Sequence, residues 1–291
     1  MSDDIKGMAL GLIGVAIFSV TLPATRIALT GFDAVTVGLG RAVIAAAVAA
    51  VILAVTRQPW PGMYWKKLLV VGLGVVVGFP LFASIAMVSV PATHGAVVLG
   101  VLPLATSAAG ALFCGERPSL GFWLLALVGS ALVIGFAVLQ GAGALQAADL
   151  WLLAAVVSAG TGYAVGGDLA RRLGGWQVIC WALVVSLPVI VPPVLWVLPA
   201  VAWDAPATAW AGFLYVALFS QLIGFFAWNR GLAIGGVARV SQVQLLQLFM
   251  TLGFAALLAG ETVDAMTLAF AVAVVATVAA GRRMPVKRRA G

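Results

Sequence analysis

Four polar side chains fall on one face of an apolar stretch near the carboxyl end of the chain: Ser241, Gln244, Gln247 and Thr251. On an α-helix they lie within about 120° of arc and form a stripe about 15 Å long, with Gln242 on the opposite side. Hydroxyl and amide groups donate and accept hydrogen bonds, so such a stripe can hold the polar end of a solute. Because unpaired amides are costly in hydrocarbon, we predict that the stripe lines a cavity; the alternative is that it bonds neighbouring helices together.

A second mixed face precedes this stripe. Gln221, Phe225, Trp228 and Asn229 recur at spacings of three and four residues and therefore share one side of a helix. We predict that Trp228 and Asn229 meet the polar stripe at a substrate site. Aromatic packing in the protein core is the alternative.

Side chains for catalysis or metal binding are scarce. His94 is the only histidine, and no group of cysteines and carboxylates has the spacing of a metal site. The chain has no GxxxxGK[ST] phosphate-binding loop, which argues against ATP as its fuel. We therefore expect no catalytic residue, no metal, no cofactor and no enzymatic activity.

Composition indicates which elements must position the polar side chains. Of the 291 residues, 64% are hydrophobic and only 9% are charged, far below the charged share of a soluble surface. A helix crosses a hydrocarbon core with about 20 apolar residues. We predict ten membrane spans, at 7–29, 34–56, 67–89, 93–113, 119–139, 149–170, 176–198, 208–230, 237–259 and 262–281. The predicted fold class is an all-α, multi-pass membrane protein with ten transmembrane helices.

The charged residues sort by side of the membrane. With a cytoplasmic amino terminus, Lys66, Lys67, Arg171 and Arg172 fall on the inner side together with a basic tail at 282–291. The positive-inside rule then places both termini in the cytoplasm, and we expect the tail to lie on anionic lipid. The basic residues behind the net charge of +7 form no groove or helical face, so nucleic acid is not an expected partner.

Three titratable residues need separate interpretation. Arg26 and Arg41 fall within predicted spans, and we expect each to extend outward toward Asp33; the alternative is that it points into an outer vestibule. His94 stands at the outer mouth of span four. We place it at the mouth of the substrate site, as a solvated cap rather than a proton relay.

The chain repeats itself at an offset of 145 residues. Residues 111–116 read ALFCGE, and residues 256–261 read ALLAGE. We divide the chain into a first repeat at 1–145, a second repeat at 146–281 and the basic tail. Because each repeat holds five spans, the second is inverted in the membrane, as in many secondary transporters.

Prolines inside the spans mark places where a helix can bend. Pro23, Pro80 and Pro103 each leave a backbone carbonyl without its helical N–H partner. We predict that these three residues are hinges about which the halves rock around a central cavity.

These features together resemble the drug/metabolite transporter superfamily, in its ten-helix EamA-type branch. The resemblance rests on the two inverted halves, the Gly-Glu pairs at 115–116 and 260–261, and Pro103 thirteen residues before Glu116. It covers nearly the whole chain and implies a bacterial inner-membrane protein. It also implies that spans one, three, four, six, eight and nine surround a central cavity, braced by spans five and ten. The second half departs from the family pattern, because Leu248 stands where a proline is usual.

Two short stretches narrow the resemblance. Residues 92–94 read ATH, and residues 228–231 read WNRG. They are similar to stretches in bacterial exporters of aromatic and other amino acids, which implies a related substrate.

The two halves differ at the predicted site. The residues of span four equivalent to the polar stripe are Ala96, Leu99, Leu102 and Thr106, so one wall is polar and the other mostly apolar. This favours an amphipathic solute such as a zwitterionic amino acid, with its side chain against Leu99, Leu102 and Tyr163.

We therefore predict an exporter of neutral and aromatic amino acids and related small metabolites. The predicted mechanism is facilitated diffusion with alternating access, and the expected partners are the solute and the lipid bilayer, with no obligatory protein partner. The alternative is a drug or quaternary-cation exporter, coupled to protons.

Overall fold

The computed structural model describes residues 3–139, 146–259 and 265–288, which are almost entirely helical. The α-helices are α1 (Asp3–Ser19), α2 (Thr21–Ala28), α3 (Arg41–Val55), α4 (Trp65–Val71), α5 (Phe79–Ser89), α6 (Ala92–Leu99), α7 (Leu102–Phe113), α8 (Leu120–Leu139), α9 (Ala148–Leu173), α10 (Gly175–Val197), α11 (Ala207–Leu214), α12 (Gly224–Gly235), α13 (Val237–Ser241), α14 (Gln247–Ala259) and α15 (Ala265–Arg283). Three π-helices, Thr36–Gly40, Gly72–Gly78 and Tyr215–Ile223, and three 3₁₀-helices, Gly62–Tyr64, Leu198–Ala200 and Gln242–Leu246, join some of them.

In the described residues these helices group into segments that follow the order of the predicted spans and keep their numbers. Segment one is α1 with α2, two is the first π-helix with α3, three runs from α4 to α5, four is α6 with α7, five is α8, six is α9, seven is α10, eight runs from α11 to α12, nine runs from α13 to α14, and ten is α15. Within the described ranges, segments one, two, three, six, seven, eight and ten are long and apolar enough to cross a membrane. Segments four and nine are divided into shorter helices, and the apolar stretch of five is shorter, so crossing by all ten stays a prediction.

Two of the connections are reduced to one glycine each. Gly174 separates segments six and seven with φ of 100°, and Gly236 separates segments eight and nine with φ of 88°. Glycine adopts these left-handed conformations without the steric penalty of a side chain. Each glycine therefore reverses the chain within one residue and keeps consecutive helices in contact.

Small residues let the segments pack closely. A Cβ on Gly7 would lie 2.5 Å from the backbone nitrogen of Gly235, and one on Gly74 would lie 2.9 Å from the Cα of Gly162. Segment one thus packs against segment eight, and segment three against segment six, with backbones in direct contact.

Segments five and ten pack against the outside of segment nine. Val133 and Phe136 of segment five, Leu245 and Leu248 of segment nine, and Val274 of segment ten share one buried cluster. This packing supports the expectation that these two segments brace the bundle.

The fold contains one element that the all-α prediction missed. Residues Glu116–Pro118 (β1) pair antiparallel with Val286–Arg288 (β2). The described part of the predicted tail is therefore not a separate segment. It begins within α15, which continues to Arg283, and β2 then pairs with β1 at the end of segment four. Short strands of three residues carry too little periodicity to be recognised in sequence.

Both ends of the described chain meet at one end of the bundle, called here the terminal end. The Arg239 guanidinium lies 3.2 Å from the Asp4 carboxylate, and it donates a hydrogen bond of 3.4 Å to the Met284 carbonyl. An even number of spans requires the termini to share one side. That this side is the cytoplasm stays a prediction.

Candidate functional site

A narrow cavity between the segments has two adjoining lobes, of about 30 and 20 Å³. Leu22, Leu99 and Gln247 line both lobes and mark the border between them. We name the lobes after their most distinctive polar residues, Gln244 and Arg41. The Gln244 lobe is lined by Ser19, Leu22, Pro23, Ala92, Ala96, Leu99, Gly100, Val133, Gln244, Gln247, Leu248 and Thr251.

The Gln244 lobe has one polar and one apolar wall. Segment nine supplies Gln244, Gln247 and Thr251, while segment four supplies Ala96 and Leu99. Gln244 is 6% exposed, and neither atom of its amide has a hydrogen-bond partner in the described part of the chain. A buried amide without partners costs about 1–3 kcal/mol. Gln244 is therefore available to a solute in this lobe.

Gln247 and Thr251 are bonded to segment one at the place where it breaks. The Gln247 amide donates to the Phe18 carbonyl at 3.2 Å, and the Thr251 hydroxyl donates to the Ser19 carbonyl at 2.7 Å. Ser19 ends α1, and Pro23 lacks the N–H that would reach this carbonyl in a continuous helix. For these two residues the stripe joins helices as well as lining the lobe.

Ser241, the first residue of the predicted stripe, is absent from the lining of both lobes. Its hydroxyl lies 2.9 Å from the Ala238 carbonyl and 3.1 Å from the Ser107 hydroxyl, and Gln242 donates to the same Ser107 hydroxyl at 3.2 Å. Gln242, which helical projection places away from the stripe, lines neither lobe, and Ser241 lies with it against Ser107 of segment four. Residues 242–246 wind as a 3₁₀-helix.

Arg41 lies in the second lobe and does not extend outward. It is 2% exposed, and no hydrogen bond or ion pair joins its guanidinium to any residue that the structure describes. The expected partner, Asp33, instead accepts hydrogen bonds from the backbone N–H groups of Val35 and Thr36 and from the Thr36 hydroxyl. Asp33 therefore caps the start of segment two, which is why the expected contact with Arg41 is wrong.

Arg26 also does not reach Asp33. Its guanidinium donates to the carbonyls of Met87 at 2.6 Å and Val90 at 2.8 Å, at the end of segment three. The side chain is exposed and serves a helix terminus.

Aromatic and polar groups complete the Arg41 lobe. Leu102 and Tyr163 line it as predicted, and its full lining is Phe18, Thr21, Leu22, Arg41, Val75, Phe79, Leu99, Leu102, Tyr163, Ser220, Gln221, Phe225 and Gln247. The hydroxyls of Thr21 and Ser220 are 2.8 Å apart. The Gln221 amide donates to the Val75 carbonyl at 2.9 Å.

Trp228 and Asn229 stand behind the cavity instead of lining it. The buried Trp228 ring packs edge-on against Phe18 and Tyr163, with ring centroids 6.1 and 5.3 Å apart. Asn229 donates to the Gly175 carbonyl at 3.2 Å and so joins segment eight to segment seven. The contacts of Trp228 therefore match the alternative, aromatic packing in the protein core, rather than a place in the lining of the substrate site.

His94 is not a solvated cap. It is 5% exposed, and its Nε2 lies 2.5 Å from Oδ1 of Asp149 at the start of segment six. Asp149 also accepts a hydrogen bond from the Gln146 backbone at 2.9 Å. His94 lines neither lobe, because this contact holds it at the junction of segments four and six.

The three predicted hinge prolines coincide with irregular backbone. Pro23 follows the break in segment one, and Pro103 lies in the first turn of α7, after the break in segment four. Pro80 follows the second π-helix. In a π-helix the Val75 carbonyl would accept a hydrogen bond from the N–H five residues later, at position 80, but proline has no N–H. The Gln221 amide donates to this carbonyl instead. Hinge motion itself stays a prediction.

Glu116 stands at the terminal end. Its carboxylate accepts hydrogen bonds from the N–H groups of Val237 at 2.8 Å and Ala238 at 2.7 Å, and Arg171 lies 3.7 Å away. It thereby fastens the end of segment four to the start of segment nine. Its repeat mate, Glu261, lies outside the described residues.

Comparison with known proteins gives consistent matches. A model of the EamA-like transporter family matches residues 5–138 and again 146–280. The "Uncharacterized transporter YdeK" of Bacillus subtilis (strain 168) is 46% identical over 284 residues, which cover 97% of this chain and 99% of the relative. A protein of known crystal structure shares the fold, with a TM-score of 0.69 and 18% identity over 95% of this chain and 97% of its own.

Proposed function

Because the chain belongs to the EamA-like transporter family of the drug/metabolite transporter superfamily, we propose that it exports neutral and aromatic amino acids and related small metabolites through the two-lobed cavity. It is a multi-pass membrane transporter, which defines the substrate as a small molecule and the lipid bilayer as its surroundings. The substrate class, the direction and the mode of transport are the parts that we propose beyond membership of the family.

One observation supports the substrate class more than any other. The Gln244 amide, which has no hydrogen-bond partner among the described residues, faces a lobe that Ala96 and Leu99 also line. A solute with one polar end and one apolar end satisfies both walls at once. An amino acid with a large apolar side chain has this form.

The competing proposal, export of quaternary cations, has less support. A cation requires a carboxylate or an aromatic cage without a competing positive charge. The described residues that line the two lobes include no carboxylate, and they include Arg41. The lining thus disfavours a cationic solute.

We further propose that all ten segments cross the bacterial inner membrane with both termini in the cytoplasm. Lys67, Arg171 and Arg239 gather at the terminal end, as the positive-inside rule requires of the cytoplasmic side. Arg117→Cys and the equivalent Thr262→Cys, each in a protein lacking Cys114 and Cys180, should then be labelled by an impermeant maleimide from opposite sides. Labelling of both from one side would contradict the inversion.

Flux is proposed to follow the gradient of the substrate. No histidine or carboxylate lines either lobe among the described residues, so no titratable acid lies where protonation would compete directly with the solute. The His94 and Asp149 pair lies outside both lobes and is the group to test for coupling.

A flux assay tests the proposal. Purified protein in proteoliposomes should take up labelled phenylalanine and leucine without a pH gradient, and a protonophore should change the rate little. Tetraphenylphosphonium should not be carried. Uptake of this cation but of no amino acid would overturn the substrate class, whereas accumulation only under a proton gradient, lost in His94→Ala, would overturn the passive mechanism.

A further inference from the structure

Arg41 is a buried charge without a counter-charge among the residues that the structure describes. It is 2% exposed and lies within a segment that is long and apolar enough to cross a membrane. None of the described residues forms an ion pair or hydrogen bond with its guanidinium. Transfer of an unpaired ion into such surroundings is strongly unfavourable. A permanent charge at this position is therefore typical of a ligand site rather than of packing.

The backbone around Arg41 is unusual in three segments at once. The first π-helix, Thr36–Gly40, ends immediately before Arg41. The second contains Val75, and the third contains Ser220 and Gln221, all of which line the same lobe. π-Helical turns are rare and occur frequently at functional sites. Their convergence on one lobe is independent of the charge of Arg41 and indicates a built site.

Arg26 shows what a purely structural arginine looks like in this fold. Its guanidinium is exposed, and it donates to the Met87 and Val90 carbonyls that end segment three. Arg41 is buried, and no carbonyl among the described residues accepts a hydrogen bond from it. The two residues therefore form a matched pair, in which one arginine is satisfied by the protein and the other is not.

From this arrangement we propose that Arg41 binds the carboxylate group of the transported solute. A guanidinium presents parallel donors that match the two oxygens of a carboxylate, and burial strengthens that attraction. Phe18, Phe79 and Phe225 surround the lobe and receive an apolar side chain. The ligand class is a small amphipathic monocarboxylate, of which an α-amino acid is one example.

The two lobes then divide the recognition of a zwitterion. Gln247 lies on their border, and Gln244 lines the lobe next to that of Arg41. The carboxylate occupies the Arg41 lobe, while an ammonium group donates to the amide oxygen of Gln244. This assignment rests on the proposed transport function and adds the carboxylate as the group that a substrate must carry.

The test separates the carboxylate from the rest of the molecule. Proteoliposomes would be assayed for uptake of labelled phenylalanine, 3-phenylpropionate, which lacks the amino group, and phenylalaninamide, which lacks the carboxylate. The variants are Arg41→Gln, Arg41→Lys and, as the matched control, Arg26→Gln. Loss of a hydrogen bond to a charged group weakens binding by roughly ten- to a hundredfold. We expect this loss in Arg41→Gln for both carboxylates, a smaller loss in Arg41→Lys, and wild-type uptake in Arg26→Gln.

The outcomes distinguish the anchor from the transport proposal. If wild-type protein carries phenylalanine and Arg41→Gln carries it equally well, the anchor is wrong and the proposed function stands. If wild-type protein carries 3-phenylpropionate but no amino acid, and Arg41→Gln abolishes this, the anchor stands and the amino-acid assignment fails. Uptake of phenylalaninamide alone by wild-type protein overturns both.

A measurement on wild-type protein covers the case in which Arg41→Gln does not fold. In detergent, phenylalanine should raise the thermal unfolding midpoint and phenylalaninamide should not, because binding to the folded state alone stabilises it. Equal stabilisation by both compounds would overturn the anchor. So would stabilisation by chloride or inorganic phosphate equal to that by phenylalanine, because Arg41 would then hold an inorganic ion.

Discussion

Segments four and nine occupy equivalent places in the two repeats, yet they line the cavity with opposite chemistry. Both are interrupted near the middle, segment four between α6 and α7 and segment nine by its 3₁₀-helix. Leu99 of segment four corresponds to Gln244 of segment nine at the offset of 145 residues. One presents an alkyl group to the cavity, and the other presents an amide without a hydrogen-bond partner in the described part of the chain. A repeated backbone thus carries an asymmetric lining, which is what an amphipathic solute requires.

The same comparison explains how the broken helices are satisfied. Thr106 and Thr251 are equivalent, and each bonds the carbonyl four residues earlier in its own segment. Thr251 in addition reaches the Ser19 carbonyl that Pro23 leaves free. Segment nine therefore also stabilises a break in the first repeat. Among the described residues, Thr106 bonds only the Leu102 carbonyl of its own helix.

The largest expected effect comes from making segment nine resemble segment four. Gln244→Leu should reduce uptake of phenylalanine roughly ten- to a hundredfold, because the polar end of the solute loses its hydrogen bonds. Unfolding temperature should stay unchanged or rise, since the amide has no partner to lose among the residues that the structure describes. Initial rates in proteoliposomes and melting curves in detergent measure the two effects.

Gln177→Leu is the control, because Gln177 lies in α10 outside both lobes and should transport as wild type. Normal uptake in Gln244→Leu would mean that segment nine does not bind the solute.

The reverse exchange should have an intermediate effect on specificity. Leu99→Gln places a polar group in the apolar wall. It should lower the ratio of phenylalanine to serine uptake about tenfold, because changing one group in an apolar pocket alters specificity by at least about this factor. Competition between the two labelled amino acids gives this ratio directly. Leu99→Met, which conserves volume and polarity, should leave the ratio near that of wild type. An unchanged ratio in Leu99→Gln would show that the side chain of the solute binds elsewhere.

The smallest expected effect separates the two threonines. Thr251→Val should lower stability by about 1 kcal/mol, because the Ser19 carbonyl loses its donor. Thr106→Val should cost less, since the Leu102 carbonyl keeps its place in α7. Thermal unfolding in detergent compares them.

A Pro23→Ala background tests whether the Thr251 hydroxyl replaces a missing helical hydrogen bond. Pro23→Ala restores an N–H that can reach the Ser19 carbonyl, so Thr251→Val should cost less when both substitutions are combined. Equal costs with and without Pro23→Ala would mean that the hydroxyl does not replace the missing helical bond.

Much of the fold follows from patterns that act over many residues. The order of the helical segments, the repeat and the contrast between Leu99 and Gln244 are all readable in the sequence, because apolar length and repeat offset accumulate over many positions. The proline-associated breaks follow equally, since a missing N–H is a property of the residue itself.

The remaining features depend on local winding and on distant partners. Ser241 and Gln242 bond to Ser107 of segment four where a 3₁₀-helix begins, and π-helices precede Arg41 and contain Gln221, both of which line one lobe. Helical projection at 100° per residue cannot anticipate either. A signal for Arg41 was present in the sequence, because it is the only charged residue in the span predicted at 34–56. Its burial could not be predicted, because Asp33, the expected partner, caps the start of segment two.

The charge of Arg41 also has an electrical consequence. A carrier whose cavity is empty holds one positive charge inside the membrane field, and a monoanion cancels that charge whereas a zwitterion leaves it in place. Moving one charge through a full potential of 100 mV involves about 2.3 kcal/mol. A cell interior that is negative draws the unoccupied guanidinium toward the cytoplasm, the side from which an exporter must load. With a zwitterionic amino acid the loaded and the empty carrier move the same charge, so a full cycle moves no net charge and flux follows the solute gradient. Export of a monoanion would move one net negative charge outward, and an interior-negative voltage would drive it.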